Sequence, residues 1–285
     1  MLNVLDKLNM LYECDDFLLL DKPHNMPTVP LKHQDLEGTL LEQAAKVCPQ
    51  VLEVKGKNPW EGGALHRLDT ATAGIVLFAK NQNFYNRMQE LQEKNYFEKY
   101  YIASTCENNS LKGFDIEEKS GVITILSYFR PFGPGAKEVR ATLEEKKASP
   151  KILYKTAVIR NENRFCCSIT KGFRHQIRAH LAWVGHPIIG DNLYGLKDSR
   201  CDSSQNSRCD SRLDSDGVGD QIKATNELQL ECVGISLPLT LQQALPQPLA
   251  QSFGSTKFIK HKATSLTFPN LCNFANNNGS VIILP

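Results

Sequence analysis

Apolar and polar positions along the chain follow two periods, one suited to strands and one to helices. Within the segment Leu11 to Pro23, Phe17-Leu18-Leu19-Leu20 is an apolar run of strand length that stops at Lys22-Pro23. Prolines 23, 27 and 30 keep the next stretch irregular. From about Gly38 to Val47, Leu40, Leu41, Ala44 and Ala45 share one face of a predicted short helix. After the loop KGKNPWEGG, Ile75-Val76-Leu77-Phe78-Ala79 is apolar at every position, as a strand buried on both faces requires. Asn81 to Lys94 places Phe84, Met88 and Leu91 at helical spacing, with Asn81 suited to cap the helix start.

Further strands are predicted over Glu98–Ser104, Val122–Phe129, Ile152–Ile159 and Arg164–Ile169, with the turn-rich PFGPGAK between the second and third. Gly172 to Val184 changes period. Its Ile177, Leu181 and Val184 predict a helix with one buried face, ended by His186-Pro187. The stretch that follows differs in kind, carrying SRCDS at 199–203 and 207–211 and SRLDS at 211–215. It has too few apolar residues to offset its ordering entropy, so residues 197–221 are expected to form a disordered insertion in a surface loop. Beyond it, Leu228–Leu237, Lys262–Phe268 and Ser280–Leu284 look like strands. Strands outnumber helices with no repeated strand–helix alternation, which predicts an α+β class built on a mainly antiparallel or mixed sheet. A single domain over residues 1–285 accommodates all of it.

The formal charge of +2, from 33 basic against 31 acidic side chains, is too balanced for a purely electrostatic nucleic-acid binder. Cationic groups are concentrated locally: Lys171, Arg174, His175, Arg178 and His180 lie together with no intervening acid. Nine cysteines at irregular spacing, with no CxxC pair, suit neither a disulfide framework nor a zinc site, and reduced thiols are expected. No uncharged apolar run reaches the roughly 18 residues of a membrane span, and the first residues lack signal-peptide character. A soluble, cytoplasmic protein, monomeric and without a membrane partner, is the expectation.

Three segments could carry chemistry. His66-Arg67-Leu68-Asp69 lies between a glycine-rich loop and a buried strand, and small residues follow it through Gly74. Such a loop can present a catalytic carboxylate to a bulky ligand, or can hold an Arg–Asp pair that merely ties it down. In KGFRHQIRAHLAWVGHPIIGDNLYG, residues 171–195, cationic side chains at a helix start oppose the helix dipole unless an anion docks there. A solvated basic face is the plainer reading. His175 and His180 are five residues apart and point away from each other, which disfavours a metal pair; His180 and His186 read as structural. On the third segment, alternation puts Lys99, Tyr101 and Ala103 on one strand face.

Together these segments resemble the RluA-like pseudouridine synthases. LYECDDFLLLDKPHNMPTVP is similar to the family's opening strand and proline-rich turn, GGALHRLDTATAG to its HRLD-x-x-T-S-G signature, and KYYIA to its K-x-Y-x-A strand. ITKGFRHQIRAHLAWVGHPIIGDNLYG is similar to its R-x-H-Q-I-R-x-H-L-A…GHPI-x-GD-x-x-Y run. The resemblance implies an α+β pseudouridine synthase fold, a bent, mainly antiparallel mixed sheet flanked by helices. It implies isomerisation of uridine in ribosomal or transfer RNA without metal or organic cofactor, or, as the alternative, a non-catalytic RNA-binding relative. By the same resemblance Asp69, Tyr101 and Arg178 are the expected catalytic residues, with Arg67 filling the gap left by the extruded base. His66, Thr72, Arg174, His175 and Gln176 are expected at the RNA substrate, and RNA is the expected partner. Ala73 stands where the family has a serine, and Phe173 where it has an arginine. An S4-type RNA-binding domain, carried by some members, is not expected before residue 11. Two C-terminal stretches, LQLECVGISLP and HKATSLTFP, each partly match the family's L-H-A-x-x-L-x-F strand.

Overall fold

The computed structural model describes residues 10–105, 116–119, 121–195, 227–236 and 281–282. The predicted insertion 197–221 and the predicted strand Lys262–Phe268 lie outside the described residues. The first apolar segment forms a hairpin of β1 (Met10–Glu13) and β2 (Phe17–Lys22), closed by a Cys14 N–H bond to the Phe17 carbonyl. Alternation along β2 and along β3 (Ala73–Ala79) sends Leu18, Leu20, Val76 and Phe78 into one core and Phe17, Leu19, Ile75 and Leu77 into another. Both faces are therefore buried, as the uninterrupted apolar runs require.

Helix α1 (Leu40–Val47) covers the first face, burying Leu40, Leu41 and Ala44. It starts at Leu40, after Thr39 as its cap and not near Gly38, because the Thr39 hydroxyl accepts the Glu42 N–H while the Glu42 carboxylate accepts the Gly38 N–H. Helix α2 (Gln82–Glu93) covers the second face with Phe84, Tyr85 and Met88, and Asn81 caps it through the Phe84 N–H. Strands β4 (Glu98–Ser104) and β9 (Arg164–Ile169) have the predicted bounds. Strand β5 spans Ile116–Lys119. Strand β6 runs from Val122 to Phe132, longer than expected, because its distal half pairs with β7 (Glu138–Thr142) while its proximal half pairs with β8 (Tyr154–Asn161).

Helix α3 (Gln176–Trp183) is shorter than the predicted Gly172–Val184, since His175 adopts a left-handed conformation (φ 55°) that blocks extension toward the N-terminus. Nor is it buried on one face only. Residues 176–181 are all buried, polar ones included. His180 is paid for by hydrogen bonds to Ser127 and Thr156, the structural role expected of it.

The sheet order is β1-β2-β3-β10-β4-β9-β8-β6-β5, with β10 spanning Leu230–Ser236. Strand β10 runs parallel to β3 and antiparallel to β4, while the other strand pairs are antiparallel. Of the stretch Ser280–Leu284, only 281–282 are described, and they pair as β11 (Val281–Ile282) with the end of β10. Strands β3 and β4 do not pair with each other. They are joined through Cys232, which sits opposite Gly74 on one side and Tyr101 on the other. Gly74 (φ +113°) has no space for a side chain, because a Cβ there would lie 2.1 Å from the Cys232 carbonyl oxygen.

Candidate active site

Asp69 sits at a turn immediately before β3, with its main-chain carbonyl accepting the Thr72 N–H. The proline-rich segment after β2 holds this turn from below. The ammonium of Lys22, wholly buried, donates to the carbonyls of Pro23, Met26 and Thr70 at 2.9, 2.7 and 3.0 Å. Burial lowers its pKa from the ordinary lysine value to about 8, partly offset by the charges of Asp69 and Asp21. Thr28 bonds both main-chain groups of Leu68, and His24 bonds the Ala71 carbonyl. The turn is thus fixed on both sides of Asp69, whose carboxylate keeps 24% of its surface exposed.

Arg178, on α3, faces that carboxylate. Its Nε and Nη2 grip Asp191 as a fork, each at 2.8 Å, and this leaves Nη1 pointing at Asp69 Oδ2, 3.5 Å away. Burial acts to raise the pKa of Asp191, but the Arg178 guanidinium and the Tyr194 and Leu193 amides together hold it below the ordinary value. The ring of Tyr194 lies beside the guanidinium, 5.4 Å from centroid to Cζ. Tyr101, 5% exposed, lies on β4 near enough to interact with Asp69 and with the Cys232 thiol. Burial first, and those neighbours after it, push its phenol well above the ordinary tyrosine value, so it stays protonated at neutral pH.

The three central residues expected from the sequence therefore come together. The others divide. Arg67 is half exposed at the rim and pairs with Glu61 at 3.0 Å. His175 Nε2 stands 4.0 Å from Asp69 Oδ2. Thr72 is buried at 2% exposure, and its hydroxyl has no hydrogen-bond partner among the described residues. His66 and Gln176 face inward and have internal partners. His66 Nε2 accepts the Leu77 N–H, and Gln176 accepts the Phe173 N–H while donating to Lys155 and Thr156. Arg174 donates to the Ala136 and Glu138 carbonyls, which fastens the β6–β7 hairpin. Phe173 stacks on Phe129 with centroids 5.0 Å apart, so in place of the family's arginine it supplies packing. Two groups that contact Arg178 escaped sequence reasoning as individuals. Asp191 and Tyr194 both lie in GDNLYG, where the signal was an acid and an aromatic shortly after a basic helix.

A family model described as RNA pseudouridylate synthase matches residues 16–183. The chain belongs to that family. Among its relatives, an uncharacterized RNA pseudouridine synthase of Mycoplasma pneumoniae is 29% identical over 192 residues, 67% of this chain and 56% of the relative. The ribosomal large subunit pseudouridine synthase D of Haemophilus ducreyi is 27% identical over 190 residues, 66% of this chain and 53% of the relative. The chain spans about half the length of the curated relatives it matches. The solved structure of human RNA pseudouridylate synthase domain containing 1 superposes with a TM-score of 0.53 at 16% identity, over 83% of this chain and 80% of that one. The fold is thus the α+β pseudouridine synthase fold. Strand β10, which joins the two halves of the site, lies beyond the residues that the family model matches.

Proposed function

We propose that this protein isomerises uridine in RNA to pseudouridine, with Asp69, Tyr101 and Arg178 as its catalytic residues. The observation that carries the reading is a partly exposed carboxylate on a rigidly held turn, faced by a buried guanidinium that is itself oriented by a second carboxylate. Breaking the N-glycosidic bond and rejoining uracil through carbon 5 needs one ionised carboxylate, as nucleophile or as base. Arg178, 3.5 Å away, is the counter-charge that faces Asp69 when RNA covers the site. Tyr101, held as a neutral phenol, is suited to stack on the uracil and to relay the carbon-5 proton, its oxygen accepting that proton as its own hydrogen passes on toward the freed ring nitrogen.

A stacked base reaches Asp69 only by flipping out, at a cost of a few kcal/mol. Arg67, exposed at the rim of the turn, is placed to offset part of that by entering the gap. The names of relatives favour ribosomal RNA over transfer RNA as substrate. The same reading takes the protein to be one catalytic domain, monomeric and cytoplasmic. It is tested by incubating the full chain with ribosomal and transfer RNA labelled in uridine and measuring pseudouridine. The wild type is expected to form it, and Asp69→Asn to form none while binding RNA with near-normal affinity. Substantial turnover by Asp69→Asn would remove the carboxylate from its role.

A further inference from the structure

Three hydrogen-bonding groups line up behind Asp69. The Val139 main-chain N–H, on β7, donates to the Tyr194 hydroxyl oxygen at 2.9 Å. The same hydroxyl lies 3.1 Å from His175 Nδ1, and His175 Nε2 faces Asp69 Oδ2 at 4.0 Å. An amide can only donate, so one lone pair of the Tyr194 oxygen is taken. If His175 Nδ1 also donated, the tyrosine proton would have no acceptor among the described residues, and the bare Nε2 lone pair would point at a carboxylate. If the tyrosine donates to Nδ1, every proton has an acceptor and Nε2 carries its hydrogen toward Asp69. Both considerations select one tautomer.

The surroundings agree. The side chain of His175 is only 13% exposed. Burial and the charges of Arg178 and Arg174 disfavour its cation, against the opposing pull of Asp69 and Asp191. Its left-handed backbone (φ 55°, ψ 21°) costs about 1–2 kcal/mol in a non-glycine residue, and that strain aims the ring at the carboxylate.

We propose that His175 is a positioning residue for Asp69: the Val139 amide and Tyr194 hydroxyl hold its ring in the Nε2–H tautomer, and a neutral imidazole presents a donor to the carboxylate. The inference rests on the pseudouridine synthase reading and replaces the expectation that His175 contacts the RNA substrate. The separation of 4.0 Å is longer than a hydrogen bond, and a ring movement of about 1 Å, of the kind substrate binding brings about, closes it. The donor would orient one lobe of Asp69 while Arg178 orients the same oxygen from the helix side.

The test uses the full chain labelled with nitrogen-15 in histidine. At neutral pH the wild-type His175 spectrum is expected to show a bare Nδ1 and a protonated Nε2. Tyr194→Phe keeps the ring beside Arg178 but removes the hydroxyl. It should mix the tautomers and slow single-turnover pseudouridine formation about ten-fold, the worth of one good hydrogen bond, with RNA affinity unchanged. His175→Gln, whose amide can still donate, should retain more activity than His175→Ala. A protonated Nδ1 in the wild type, or a loss of RNA affinity with the turnover rate intact, overturns the proposal. A wild type that makes no pseudouridine sinks the functional reading instead, and the ring-nitrogen spectrum still decides the tautomer.

Discussion

Arg178 faces two carboxylates, and the one it grips harder is not the one proposed to react. Its fork is closed on Asp191 at 2.8 Å, and Asp69 meets the remaining nitrogen at 3.5 Å. Asp191→Asn would take from a buried guanidinium the charged partner that closes its fork, leaving only the longer contact to Asp69. Loss of about 3–5 kcal/mol in urea denaturation is expected, with turnover falling as Arg178 swings. An unchanged denaturation midpoint would mean that the pair is not buried in solution. The buried histidines make a second prediction. Burial holds His180, and burial with the nearby Lys99 holds His66, at a pKa of about 3 against an ordinary 6.5. Between those values the unfolded chain binds more protons than the folded one. Stability must therefore fall as pH drops below about 6.5, by up to about 1.4 kcal/mol per pH unit for each histidine. Urea midpoints at pH 7 and pH 5 measure this, and the difference should shrink in His180→Gln. Sequence reasoning named Asp69, Tyr101 and Arg178, which the fold brings together, because ordered motifs carry them. It missed Asp191 as a partner because nothing in a linear string shows which of two acids an arginine will grip.

Among elements, the ones read correctly were those whose burial leaves a periodic trace. Strand β3 is apolar throughout because helices cover both its faces, and α2 shows Phe84 and Met88 one turn apart. Strand β7 went unseen because Glu138-Val139-Arg140-Ala141-Thr142 buries a single side chain, Val139. The start of α3 was misread because a left-handed histidine leaves no compositional signal, unlike glycine. The narrowest junction between elements is Gly74 against Cys232. Gly74→Ala would place a methyl on a carbonyl oxygen at a backbone angle that alanine avoids. A drop in thermal midpoint and a loosening of β3 from β10, seen as faster amide exchange at Cys232 and Tyr101, are expected. An alanine variant as stable as the wild type would show that this contact opens without cost.

At the scale of the molecule, a nearly neutral chain must gather its charge to hold a polyanion, so RNA binding is expected to weaken steeply with salt. A salt-insensitive affinity would contradict it. The chain enters and leaves the segment that precedes β10 at neighbouring points, since Ile189 accepts the Gln229 N–H. Deleting residues 199–218, which lie between these neighbouring points in sequence, should leave thermal midpoint and turnover as they were. The central position of β10 has a consequence for how the molecule comes into being. The carboxylate turn and the tyrosine strand are made early during synthesis, yet in the finished sheet a much later stretch lies between them. On the proposed function the nascent chain is expected to be inactive before that insertion, and closing so distant a contact is expected to make assembly of the centre a slow step in folding.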